Sequence, residues 1–419
     1  MTEKTCESAL AVDSERLWNS LREVSAFGAT PGGGLDRLAL GDHDRAARDH
    51  LVAAARERGW AVAVDPVGNV FVTRQGTEPD LPPVLIGSHL DSQPLGGRYD
   101  GTYGVHAGLE VLRALDDAGV ATRRSLVLAD WTNEEGSRFS PSMLGSAVYS
   151  GAHDLDAALA RTDTSGATLG GELARIGYAG AWGGVPRRLH RALEVHIEQG
   201  PVLEAEGVDI GVVTGVYGIR WYDVSVRGEG GHSGTTPMAL RRDALVAAGA
   251  VVRAVSELAD RLSPELRATT GEIVVSPNSR NSIPGSVRLA LDVRHPEDAV
   301  LDRAERALEE LTADVARATG TEVTIEPVLS QPPTVFDPRA VAGVRAVAER
   351  LGLSNRDLVS GAGHDSVHLA RVTPTAMIFI PCVGGISHHE SEDIRHQWAV
   401  DGANALLHAA LDAAQESED

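Results

Sequence analysis

An α/β chain with a mostly parallel sheet, interrupted by a ferredoxin-like α+β insert, follows from three features of the 419 residues. Apolar runs of strand length alternate with segments of helical spacing through the first half, the order that gives a parallel sheet covered on both faces. From about Val213 the order becomes β-α-β-β-α-β, which is a self-contained ferredoxin-like unit. After Pro332-Pro333 the strand–helix alternation resumes. The expected domains are therefore 1–212 joined to 331–419, with 213–330 inserted between them.

The elements follow in order. Leu17–Phe27 and His43–Arg58 carry apolar residues at helical spacing. Ala61–Val64, Val70–Thr73 and Val84–Ile86 are short, β-branched runs that read as strands. A helix over Gly104–Ala118 and a strand over Ser125–Ala129 come next, then short helices and turns from Ala152 to Gly184 and a strand at Ala192–His196. In the insert, Tyr222–Arg227, Glu272–Ser276, Val287–Val293 and Glu322–Pro327 are strands, and Ala239–Leu262 and Glu297–Thr319 are helices. The chain closes with helix Arg339–Leu351, strand Pro374–Ile380 and helix Gln397–Ala414.

Composition narrows the function. A formal charge of −21 argues against a nucleic-acid-binding surface, which would concentrate Lys and Arg. Two cysteines, Cys6 and Cys382, cannot build a disulfide framework, so a reducing compartment is expected. The start Met1-Thr-Glu-Lys-Thr-Cys-Glu7 has no apolar signal core, and no run reaches a membrane span. The expectation is a cytoplasmic protein with neither nucleic-acid nor membrane partners.

The chemistry lies in four clusters, each just past an expected strand. They are Gly87-Ser-His89-Leu-Asp91 with Asp100, Trp131-Thr-Asn-Glu134-Glu135, Glu194-Val-His196-Ile-Glu-Gln199, and Gly384-Gly-Ile-Ser-His388-His389-Glu-Ser-Glu392. Any one of them could be a solvated loop. Four at one edge of a parallel sheet point to a common site. His89, Asp100, Glu135, His196 and His388 make two imidazole/carboxylate sites sharing one carboxylate, with Asp91 expected to hold the second ring nitrogen of His89. Such donors suit zinc, manganese, cobalt or nickel, with no thiolate to select zinc. Of the consecutive glutamates, one can bind metal while the other faces the bound water as a base. Gly228-Glu-Gly-Gly-His-Ser233 lacks the third glycine and the βαβ setting of a dinucleotide loop, and neither Ser140 nor Ser387 sits in a nucleophile elbow.

These motifs resemble the dinuclear-metal amidohydrolases related to aminoacylases and carboxypeptidases. The resemblance is to the branch of N-carbamoyl-L-amino-acid hydrolases, β-ureidopropionases and allantoate amidohydrolases. It runs from Gly34-Leu-Asp-Arg-Leu-Ala39 to the final helix and includes Gly97-Arg-Tyr-Asp-Gly, His196-Ile-Glu-Gln-Gly-Pro, Gly231-His-Ser-Gly-Thr-Thr-Pro-Met and Gly361-Ala-Gly-His-Asp. It implies two divalent ions per subunit, with His89 and His196 on opposite ions and Glu135 and His388 completing the sites around bridging Asp100.

The same resemblance implies Glu134 as general base and His232, usually supplied by the partner subunit, as the group that stabilises the tetrahedral intermediate and helps to bind substrate. It also implies Gln199, Asn281, Arg294 and Gly363 as substrate contacts, Asp91 and Asp365 as supports, and a homodimer formed through an insert that also serves as a lid. The implied reaction is hydrolysis of the ureido C–N bond of an N-carbamoyl amino acid. Allantoate or another ureide, or an aminoacylase or dipeptidase reaction, are the alternatives on the same scaffold. One departure is His389-Glu390, where such enzymes often carry a small polar residue and proline. The choice of His388 over His389 rests on the Gly-x-Ser-His order of the resemblance.

Overall fold

A computed structural model describes residues 10–417. Cys6 and the N-terminal Met1–Glu7 considered above lie outside that range. The chain divides into two compact units, Met1–Thr214 with Val335–Asp419, and Gly215–Thr334.

The first unit is built on a mixed sheet. Its strands lie in the order Ala61–Val64, Val70–Arg74, Leu126–Trp131, Val84–His89, Arg191–Ile197, Thr375–Ile380 and Ile210–Val216, and Asn355–Ser360 pairs with the last of these. The four strands from Leu126–Trp131 to Thr375–Ile380 are mutually parallel. The Ala61–Val64/Val70–Arg74, Val70–Arg74/Leu126–Trp131 and Thr375–Ile380/Ile210–Val216 pairs are antiparallel. This corrects the expectation of a mostly parallel sheet: Ala61–Val64 and Val70–Arg74 form a hairpin, which can only be antiparallel. Every residue of Val84–His89, Leu126–Trp131 and Thr375–Ile380 is buried. Helices pack on these buried strands. Thr102–Asp117 packs on Val84–His89, and His396–Gln415 and Pro338–Arg350 pack on Thr375–Ile380.

Two strands of this sheet lack a sequence signal: Ile210–Val216 sits at the change of pattern that marks the expected domain boundary, and Asn355–Ser360 has a polar composition, Asn-Arg-Asp-Leu-Val-Ser, with no clean alternation.

The second unit is a four-stranded antiparallel sheet in the order Glu322–Gln331, Gly218–Arg227, Ser286–His295, Arg267–Ser276, with helices Ala244–Leu262 and Asp298–Thr319. Burial alternates along Ser286–His295, as it must when one face is packed and the other solvated. Val224, Val226, Leu289 and Leu291 meet Val251 and Leu308 in its core. The first helix starts later than expected. Asp243 accepts the amides of Leu245 and Val246 as an N-cap, and Met238–Leu240 is a separate 3-10 turn. Among the described residues, no helix is long and apolar enough to cross a membrane.

One glycine sets the approach of the two central strands. Gly87 faces Ala129, and a Cβ there would lie 2.1 Å from the Ala129 carbonyl oxygen. Gly87→Ala should therefore lower unfolding stability by about 3 kcal/mol in urea denaturation, as overpacking does. A loss under about 0.5 kcal/mol, the size of a neutral surface change, would contradict this account of the strand spacing.

Candidate metal centre

The four parallel strands end at one edge of the sheet, and each delivers a functional segment there. His89 is the last residue of its strand, and His196 is the penultimate residue of Arg191–Ile197. Glu134 and Glu135 follow Leu126–Trp131 after a short turn, and His388 follows Thr375–Ile380. Asn133 makes the turn possible: its φ of 58° is left-handed, and its amide donates to the Phe139 and Pro141 carbonyls.

Asp100 stands at the middle. Its Oδ1 lies 3.1 Å from His196 Nε2 and 3.5 Å from His89 Nε2. Its Oδ2 lies 3.3 Å from His388 Nε2, which in turn is 3.5 Å from Glu135 Oε2. Three groups of donor atoms result: His89/Asp100/His196 and Asp100/Glu135/His388 are joined by the Asp100 carboxylate, and Glu194/His196/His364 lies on the other side of His196. The resemblance implied that His89 and His196 bind opposite ions; here both face the same oxygen of Asp100. Their strands are immediate neighbours in the sheet, so both imidazoles reach the same carboxylate oxygen. Glu134 Oε2 lies 3.7 Å from His89 Nε2 and belongs to none of these groups.

The surroundings hold these groups in place. His89 Nδ1 bonds the main-chain oxygen of Asp91 at 2.9 Å, not its carboxylate, which is 3.8 Å away. That carboxylate instead accepts the amides of Glu134 and Glu135, at 3.1 and 3.3 Å. Glu392 accepts the amides of Tyr99 and Asp100 and the Ser387 hydroxyl, so it ties the Asp100 loop to the His388 loop. Gly97 leaves room for it, since a Cβ there would lie 1.9 Å from the Glu392 carboxyl carbon. Glu194 bonds Ser88 and Ser366 beneath the site. Glu390, the departure noted above, accepts from Thr30 and packs over Gly32 and Gly34.

Charge is the unusual feature. Burial raises Glu134 well above the usual carboxylate range, against the pull of His89. Burial, then repulsion from Asp100, pushes Glu135 up to about 7. Burial also works against an ionised Asp100, but hydrogen bonds from His196, His388 and His89 outweigh it and hold the carboxyl well below its ordinary value. His388, paired with Asp100, rises to about 9. The favourable partners of these acids are imidazoles rather than Lys or Arg side chains. Buried carboxylates in that position must be protonated or balanced by a cation, and the oxygen and nitrogen donors fit divalent ions. The Gly101 amide also reaches His196 Nε2, at 3.1 Å, a bond that an ion on that nitrogen would replace.

The remaining candidates divide between the units. Gln199, left-handed at φ 56°, donates to Asp100 Oδ2 at 2.8 Å, and its Oε1 is buried with no hydrogen-bond partner among the described residues. Asp365 is buried, raised well above the usual range by burial, and bonded to Ser146. A Cβ on Gly363 would press on Met143 at 3.2 Å. In the second unit, His232 is exposed on a two-residue strand paired with Ser282-Ile283, and the adjoining Asn281 carbonyl accepts the Ser233 amide. Arg294 forks onto Asp292. His389 does not join any donor group; its Nδ1 bonds Ser391.

The model of peptidase family M20/M25/M40 matches residues 85–412. N-carbamoyl-L-amino-acid amidohydrolase of Rhizobium meliloti is 44% identical over 96% of this chain and 97% of its own. Allantoate amidohydrolase of Bacillus subtilis is 34% identical over 88% of this chain and 90% of its own. The crystal structure of an amidase of the hydantoinase/carbamoylase family from Burkholderia multivorans superposes with a TM-score of 0.93 at 51% identity, covering 97% of this chain and 99% of that one.

Two outcomes follow from this geometry. Gly101 has φ 60°, and a Cβ there would lie 2.2 Å from His89 Nε2. Gly101→Ala should fold by circular dichroism yet retain no tightly bound metal after desalting, and wild-type metal content would contradict the placement of His89. An ion must also displace the proton that keeps His388 charged below about 9, so affinity should rise with pH and level off above about 9. Calorimetry in buffers of different ionisation enthalpy should detect proton release on binding at pH 7, and a His388→Ala variant that releases as many protons as the wild type would remove His388 from the ligands.

Proposed function

The chain belongs to peptidase family M20/M25/M40, and from that membership we propose that it is a metal-dependent amidohydrolase acting on the ureido C–N bond of an N-carbamoyl amino acid. One observation carries the reading: a single buried carboxylate, Asp100, is shared by two donor groups. The ureido substrates in its relatives' names support the substrate class. His89, His196 and Asp100 would hold one divalent ion, and Asp100, Glu135 and His388 a second. When bound, such ions polarise a carbonyl oxygen and acidify the attacking water.

The protein's own groups do the rest. Glu134, buried and raised in proton affinity, takes a proton from the water that adds to the ureido carbon. It returns that proton to the amino-acid nitrogen as the C–N bond breaks. The free amino acid leaves, and the carbamic acid left behind decomposes to ammonia and carbon dioxide. Gln199, with one amide oxygen unused, accepts a ureido N–H. His232 donates to the oxyanion that develops, Asn281 and Gly363 contact the substrate, and Arg294 exchanges Asp292 for the substrate carboxylate in a bidentate pair. Asp91 and Asp365 keep the first of these groups oriented.

In this reading the second unit also serves as lid and joins two subunits. The apolar exposure of Ile273 and Val274, at 51% and 48% on edge strand Arg267–Ser276, supports it as the dimer contact. The compartment is the cytoplasm.

Glu134→Gln should keep its metal while turnover falls by roughly 10³-fold or more, as loss of a general base does. Near-normal turnover would remove Glu134 from the mechanism. A screen of metal-loaded enzyme should find N-carbamoyl amino acids cleaved faster than allantoate, N-acetyl amino acids or dipeptides. The opposite ranking would reassign the substrate and leave the site intact.

A further inference from the structure

Arg37 lies in the Gly34-Leu-Asp-Arg-Leu-Ala39 motif, to which the reaction assigns no task. It is fully buried, with no exposed surface. Among the described residues its guanidinium makes no ion pair at contact distance, and it donates instead to four oxygens on three segments. Nε reaches the Leu90 carbonyl at 2.6 Å, Nη1 the Val24 and Phe27 carbonyls at 2.9 and 3.2 Å, and Nη2 the Thr102 hydroxyl at 2.7 Å. Burying a charge this way is costly, and burial lowers Arg37 to about 10 even with Asp44, Asp130 and Asp91 nearby.

What it grips is the metal loop. Leu90 lies between His89 and Asp91, and Thr102 begins the helix just after Asp100-Gly101, so one side chain holds both ends of the loop. The preceding peptide unit is held as well, the Leu90 N–H donating to Asp130 Oδ1 at 3.0 Å. Arg48 faces Asp130 at 3.6 Å and pairs with Asp44 at 2.9 Å, which keeps that carboxylate in place. The main chain adds a further tie, Arg37 N to Ser92 Oγ at 3.0 Å and Ser92 N to Arg37 O at 2.9 Å. The held segment supplies the Asp91 carbonyl that orients the His89 ring and the Asp91 carboxylate that anchors Glu134 and Glu135.

We propose that Arg37 is a positioning residue for the metal centre: with Asp130 on the Leu90 N–H and its own guanidinium on the Leu90 carbonyl, it sets the loop bearing His89, Asp91 and Asp100 before any ion binds. The proposal rests on the dinuclear reading of the site. Lysine carries its three donors on one nitrogen and cannot span four oxygens on three segments.

The test uses purified full-length protein and Co²⁺, whose visible spectrum reports ligand geometry. Arg37→Lys should bind Co²⁺ about 10–100-fold more weakly than wild type, the usual cost of losing a group that orients ligands, with altered visible bands. Leu112→Ala, a buried change in helix Thr102–Asp117, serves as a control for general destabilisation and should keep the wild-type spectrum and an affinity within about threefold. Affinity within about threefold and an unchanged spectrum in Arg37→Lys would overturn the proposal, as would an equal loss in the control. Should Arg37→Lys not fold, hydrogen exchange of the metal-free wild type decides. The Leu90 amide exchanging as slowly as those of the central strands supports the clamp, and fast exchange overturns it. A wild type that binds no Co²⁺ at all would overturn the dinuclear centre and the clamp with it, an outcome distinct from a wild type that binds and a variant that binds equally well.

Discussion

The site depends on one electrostatic constraint, that Asp100, Glu134 and Glu135 are gathered out of water with imidazoles as their favourable partners. Left to themselves, such groups take up protons, which is why Glu134 and Glu135 rise while the histidines around Asp100 become charged. A folded chain holds that arrangement only if something other than the acids' own attraction fixes it. Here the fixing is done by the main chain: strand ends, amides aimed at carboxylates, and glycines where a side chain would intrude.

That dependence explains where unusual backbone appears. Asn133, Gln199, His388 and Leu95 are all left-handed, and each lies in a segment reaching the site. The cost of such conformations is of order 1–3 kcal/mol each, and they persist where surrounding contacts over-determine them. Glu392 and Asp91 supply such contacts, each accepting two main-chain amides near the metal-facing carboxylates. The acids that do not face the donor groups therefore position those that do.

Much of this was legible in the sequence. The runs Val84–Ile86 and Pro374–Ile380 announce buried strands, and the polar residues after them can only fall at a strand edge. The pairing of ligands was not legible. Whether His89 shares an oxygen of Asp100 with His196 or with His388 depends on which strands are neighbours, and strand order is a tertiary fact that local pattern does not carry. The partner of the His89 ring was not legible for a similar reason. A carboxylate two residues from a histidine looks like its partner, yet the ring found the nearer main-chain oxygen and the side chain turned to the Glu134-Glu135 turn. Arg37 was visible only as part of a motif, because its partners are mostly carbonyls, which sequence does not distinguish.

The central claim is that Asp100 joins two ions. Electron paramagnetic resonance of the Mn²⁺-loaded protein tests it most directly. At full loading, an exchange-coupled spectrum from paired ions is predicted, and it should collapse to isolated-ion character in Asp100→Asn. A wild-type spectrum of isolated six-line Mn²⁺ at every loading would contradict the shared carboxylate and the dinuclear site built on it.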